Sequence, residues 1–232
     1  TTIRSKINSE QSAIAAMDEN DPLTLITEAV YARLLSALYP ERIKAASLYS
    51  GKLKVESGKL SDNAQLSIED VRQALYAAKL ISYAQGFSLL RHASEHYGWD
   101  LDYGTIARIW RKGCIIRSVF LQKITEAYRK DPDLENLLFD DFFHTKIQEA
   151  LPAWRRVVAE GALSGVALPA MSSALNYFDG LRTLYSAANM IQAQRDYFGA
   201  HTYERTDRER GHFFHTNWTG EGGNTVSGTY SV

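Results

Sequence analysis

S-I-E-D-V-R-Q-A-L-Y-A-A-K-L-I-S-Y-A-Q-G-F-S-L-L-R-H-A-S-E-H-Y-G, Ser67 to Gly98, carries the strongest helix signal in the chain. Ser67 followed by Asp70 reads as a capping box, in which the hydroxyl takes an orphan amide of the first turn and the carboxylate reaches back to the cap. Helical patterning persists to Tyr97, and Gly98 supplies the stop. About thirty residues at about 1.5 Å each give a spine of roughly 45 Å. The remaining segments are expected to pack around it. Gly86, in its middle, weakens the helix by about 1 kcal/mol relative to alanine, and close packing against another helix is the expected compensation.

Working outward, residues 50 to 65 contain Gly51 and Gly58 and read as a loop. Before them, Asp21-Pro22 reads as a helix start, with Asp as the cap and Pro at the first position. That helix runs to about Tyr39, and Glu41 to Tyr49 forms another. Gln11 to Met17 has the pattern of a short one. After the spine, helices are expected over Tyr103 to Lys112, Ile115 to Lys130, Asp133 to Phe139 and Phe142 to Leu151. Pro152 is read as opening a helix to about Ser164, and Pro169 one to about Leu184. No stretch alternates apolar and polar residues in the manner of a strand. The expected fold class is all-α: a multi-helix domain with a long central helix and an extended C-terminal tail, and no Rossmann domain in this chain. Beyond Gly199 the sequence becomes rich in glycine and charge and cannot form its own core. Phe213, Phe214, His215 and Trp218 nevertheless mark it as a tail that docks on something.

Composition narrows the function. The formal net charge of −1 over 232 residues argues against a nucleic-acid binder, because affinity for a phosphate backbone needs a basic face. No apolar run is long enough for a transmembrane helix. The N-terminus has no signal-peptide core and no initiator Met, so a trimmed chain or fragment is expected. The single cysteine, Cys114, excludes an internal disulfide and a paired-cysteine metal site. It is read as a small core residue, and a reducing, cytoplasmic setting is expected. No metal site is expected, and no nucleophilic triad can be defended. Gly220-x-Gly222-Gly223 follows no strand and opens no helix, so the dinucleotide fingerprint does not apply.

Two arginines stand where a leucine would be expected. Arg33 falls within the stripe of Leu23, Ile26, Val30 and Ala37. Arg195 falls on the stripe of Leu184, Ala188 and Ile191. A guanidinium stays charged and is costly to bury unpaired. Each therefore needs either an acidic partner within the fold or an anionic ligand, and the pattern alone leaves both open. In Q-A-Q-R-D-Y-F-G-A-H-T-Y-E, Gln192 to Glu204, Gly199 is expected to break the helix, leaving His201 to turn back toward Arg195.

Ile26 to Leu38 (I-T-E-A-V-Y-A-R-L-L-S-A-L), Ala77 to Phe87, Trp110 to Leu121 and Ala188 to Glu204 together resemble 6-phosphogluconate dehydrogenase, the decarboxylating enzyme of the pentose phosphate pathway, and His215 to Gly223 is similar to the tail of its longer forms. The resemblance implies a homodimer whose C-terminal tail enters the partner subunit, with NADP held by a Rossmann domain. The chemistry it implies is oxidation of 6-phosphogluconate at C3, decarboxylation, and tautomerisation to ribulose 5-phosphate. The family's catalytic lysine and glutamate would lie before residue 1, so no residue of this chain is expected to be catalytic, and the chain by itself is expected to be inactive. By the same resemblance, Arg33, Arg195 and His201 are substrate ligands, with the substrate phosphate as the anion. The expected organisation is a divergent segment at 1–20, the second half of the family's α domain at 21–185, and a helix plus partner-reaching tail at 186–232. The family's Gly-rich K-G-T-G-K-W-T segment is replaced here by T-I-R-S-K-I-N-S-E-Q-S-A, and whether Lys6 stands in for its lysine is left open. The alternative is a non-catalytic helical dimerisation or sugar-phosphate-binding module from a truncated gene.

Overall fold

The computed structural model describes residues 8–49, 66–111 and 120–218. Lys6, Cys114, the expected loop at 50–65 and the glycines at 220–223 lie outside them. The chain divides into two compact units, Thr1–Phe178 and Asp179–Val232.

Every regular element among the described residues of the first unit is helical. In chain order, the helices as far as Leu181 are α1 (Asn8–Asp18), α2 (Thr24–Ala37), α3 (Tyr39–Leu48), α4 (Ile68–Tyr97), α5 (Tyr103–Ile109), α6 (Leu121–Lys130), α7 (Asp141–Leu163) and α8 (Pro169–Leu181); a short 3-10 turn at Leu137–Phe139 precedes α7. The spine is α4, and both halves of its capping box form: the Asp70 amide donates to Ser67 Oγ at 3.0 Å, and the Ser67 amide to Asp70 Oδ2 at 2.9 Å. Gly98 closes it with φ of 65°, a left-handed conformation that glycine adopts without penalty. The face made by Ala74, Ala77, Ile81, Ala84 and Phe87 is buried. It packs along α7, whose buried face is Phe143, Ile147, Ala150, Trp154 and Val157. Small residues on α4 let the two backbones approach, and the large side chains of α7 fill the space between them. None of the helices among the described residues is long and apolar enough to cross a membrane.

Four expectations are corrected. Pro152 lies inside α7, which runs unbroken through it. Proline removes one helical hydrogen bond, but the buried stripe 143–147–150–154–157 continues across it, and burial outweighs that loss. Gly86 is not a close-packing site: a Cβ there would meet nothing within 4 Å, and nothing in the structure requires glycine. Asp21 does not cap α2. Its carboxylate instead accepts from Ser88 Oγ and His92 Nδ1 of α4, each at 2.7 Å. The first turn of α2 is satisfied from across the core, where buried Gln85 accepts from the Leu25 amide at 3.1 Å and donates to Thr24 Oγ1 at 2.8 Å. Finally, the stripe assigned to Arg33 is buried only in its first part. Leu23 and Val30 are inside, whereas Arg33 and Ala37 are exposed together with Tyr31, Leu34, Leu35 and Leu38.

Candidate functional site

The second unit carries the Gln192–Glu204 segment. Helix α9 spans Ala188–Gly199, and the chain then pairs Tyr203–Glu204 (β1) with Phe213–Phe214 (β2) in a two-residue antiparallel ladder, Tyr203 opposite Phe214. The helix ends at Gly199, as expected, but the left-handed residue that caps it is Ala200. Ala200 is left-handed, with φ of 50°, and its amide donates to the Asp196 carbonyl at 2.9 Å.

Gly199 is needed for a different reason from the expected one. A Cβ built on it would lie 2.9 Å from Cδ2 and 3.0 Å from Nε2 of His201. The imidazole therefore folds back against the last helical turn, over a position where only hydrogen fits. The His201 ring turns back onto Gly199, through contact rather than through backbone freedom. Replacing Gly199 by Ala should displace the His201 ring while raising helix propensity by about 1 kcal/mol. The expected signature is a shifted His201 ring resonance with no fall in melting temperature; an unmoved ring resonance would contradict the contact.

Arg195 is exposed on α9, as is Ile191 of its stripe, and Leu184 precedes the helix and is exposed too, so the arginine is not buried within the chain. Its Nη1 donates to Gln192 Oε1 at 3.2 Å. The same side chain donates through Nε2 to the His201 carbonyl at 3.1 Å and to the Thr202 carbonyl at 2.7 Å. Gln192 thus ties Arg195 to the backbone at His201. Arg33 belongs to the first unit, on the exposed side of α2, where its carbonyl accepts from Ser36 Oγ.

Asp196 is the residue that sequence reasoning missed. It has 0% exposure. One carboxylate oxygen accepts from His215 Nδ1 at 2.9 Å; the other accepts from the Thr216 amide at 3.0 Å and from Trp218 Nε1 at 2.9 Å. Burial pushes its carboxyl up, but these three donors outweigh burial and hold it below the usual carboxylate range. The tail segment expected to dock across a dimer is thus anchored, as far as Trp218, on its own chain. The Glu204 carboxylate closes the hairpin, accepting from the Gly211 amide at 2.7 Å and from Arg210 Nε at 3.0 Å. Between α9 and the hairpin runs a groove of about 710 Å³, walled by Tyr185, Asn189, Gln192, Tyr203, Arg205 and Trp218 among others.

The described residues contain no cluster of three or more His, Cys, Asp or Glu able to hold a metal ion. Their strands are the two short ones of the hairpin, so they offer no strand, glycine loop and helix to seat a dinucleotide pyrophosphate. The described residues do not build a Rossmann-type dinucleotide site.

The described residues form an all-α domain that ends in a helix and a short hairpin, with Arg195 exposed and His201 folded against Gly199. Residues 3–218 match the model of the 6-phosphogluconate dehydrogenase C-terminal domain. Relatives described as decarboxylating 6-phosphogluconate dehydrogenases include proteins of Aggregatibacter actinomycetemcomitans and Rattus norvegicus, each 51% identical over 95% of this chain and 45% of the relative, and that of Homo sapiens at 50% over the same shares. The Plasmodium falciparum 6-phosphogluconate dehydrogenase, solved apo and in complex with its cofactor NADP+ and its substrate 6-phosphogluconate, superposes with a TM-score of 0.82 at 39% identity, over 92% of this chain and 45% of that one. The chain belongs to the 6-phosphogluconate dehydrogenase family, in the part that forms the C-terminal domain. It spans about half the length of the curated relatives it matches, 45%.

Proposed function

We propose that this chain supplies the substrate-binding and dimer-forming part of an NADP-dependent enzyme that converts 6-phospho-D-gluconate to D-ribulose 5-phosphate and CO2. Arg33, Arg195 and His201 are its substrate ligands. The observation that carries the reading is the paired presentation of Arg195 and His201: one is exposed, the other is seated against a glycine, and both are tied to one glutamine. A guanidinium suits the phosphate end of the sugar, because its fork can make two parallel charge-assisted hydrogen bonds. Hydride transfer and acid–base chemistry are assigned to no residue of this chain. The exposed apolar residues of α9, Met190, Ile191, Tyr197 and Phe198, accord with a second subunit covering the segment, so that each substrate site draws on two chains.

Isothermal titration with 6-phosphogluconate tests the reading. Replacing Arg195 by Ala should weaken binding by roughly 10- to 150-fold, the worth of a hydrogen bond to a charged group. Replacing Arg33 by Ala should weaken it comparably. Unchanged affinity in both variants would overturn the assignment. Sedimentation of a chain ending at Gly199 tests the dimer role, with loss of the dimer expected.

A further inference from the structure

We propose that Gln192 is a positioning residue: its single amide group sets both the direction of the Arg195 guanidinium and the place of the His201 backbone. The proposal rests on the reading of Arg195 and His201 as substrate ligands, and it names what holds them in register. Gln192 and Arg195 are three residues apart on α9 and so share a face. That spacing brings Arg195 Nη1 to 3.2 Å from Gln192 Oε1. At its other end the amide reaches across the helix stop to the carbonyls of His201, at 3.1 Å, and Thr202, at 2.7 Å.

The chemistry singles out glutamine. The arginine can only donate, so it needs an acceptor; the two carbonyls can only accept, so they need donors. An amide offers one acceptor and two N–H donors at the end of one rigid plane, and this network fixes its orientation, oxygen toward Arg195. Glutamate would keep the arginine contact and lose both donors, placing a carboxylate against two carbonyl oxygens. Leucine would lose everything. Gln192 has no contact with the His201 ring among these bonds. It acts on the backbone, while Gly199 leaves room for the ring.

The test uses the full chain with Gln192→Glu, Gln192→Leu and Arg195→Ala, read in two ways. Amide hydrogen exchange over residues 200–204 reports the hold on the backbone; titration with 6-phosphogluconate reports the register of the ligands. Both Gln192 variants are expected to speed exchange over 200–204 by about tenfold and to weaken binding by about tenfold, with melting temperature unmoved. The Arg195→Ala variant is expected to weaken binding without altering exchange. Unchanged exchange in both Gln192 variants overturns the proposal. So does unchanged binding in Gln192→Glu where Arg195→Ala loses it. If Arg195→Ala leaves binding unaltered, the substrate reading fails instead, and faster exchange alone then decides whether Gln192 holds the segment.

Discussion

Replacing Asp196 by Ala releases the tail from α9. Three donors lose their acceptor at once, His215 Nδ1, the Thr216 amide and Trp218 Nε1, and the site they converge on is fully buried. Removing one side of such a buried charged network costs about 3–5 kcal/mol. The second unit has little apolar core to offset it, since Ala200 is its one buried apolar residue among the described residues. The indole N–H resonance of Trp218 should move to the position of a solvent-exposed tryptophan, and the exchange protection of residues 213–218 should be lost. An indole resonance that stays in place would refute the anchor. Acid should do the same to the unaltered chain. The Asp196 carboxyl titrates lower in the folded state than in the unfolded chain. Its contribution is therefore complete above the unfolded value, about 3.9 for aspartate, and drains away as pH falls through the lower folded value. At neutral pH the tail stays docked.

Trp154 is the corresponding test of the first unit. It has 0% exposure, its Nε1 donates to the Met171 carbonyl at 3.3 Å, and its ring lies 6.4 Å from that of Phe178. Truncation to Ala removes the largest fully buried side chain of α7 at the junction with α8. Such changes cost about 3–5 kcal/mol, from lost transfer energy and from the cavity left behind. At about 2–4 °C per kcal/mol for a chain of this size, the melting temperature should fall by roughly 6–20 °C. Far-UV circular dichroism at low temperature should stay helical. A fall of only a degree or two would mean that Trp154 is not in the core.

The parts of the fold that the sequence discloses are those decided locally. Ser67, Asp70 and Gly98 bound α4 by interactions that each close within a few residues. Pro152 resembles a helix start in the sequence, because a proline there and one inside a helix look alike until the buried stripe on both sides is followed through. Asp21 has the composition of a cap, but its partners Ser88 and His92 lie 67 and 71 residues away. Gln85, which does the capping, carries no local signal at all. The same holds for the candidate site. Arg195 and His201 stand out by residue type, but the stripe that singled out Arg195 is exposed, so the burial argument does not hold for this chain. Asp196 and Gln192 act through partners beyond the helix stop, and periodicity within α9 could not disclose them. One signal was available: the segment after Asp196 carries two side-chain N–H donors close together, His215 and Trp218.

Ala200 has a kinetic consequence. A left-handed residue that bears a side chain has a far narrower torsional range than glycine in the same place, and this one is also buried. The joint between α9 and His201 behaves as a stop rather than a swivel. On the proposed reading of His201 as a substrate ligand, the histidine is delivered in one orientation before the substrate arrives. Association would then not wait on a conformational search, and the ordering cost of binding is met during folding instead.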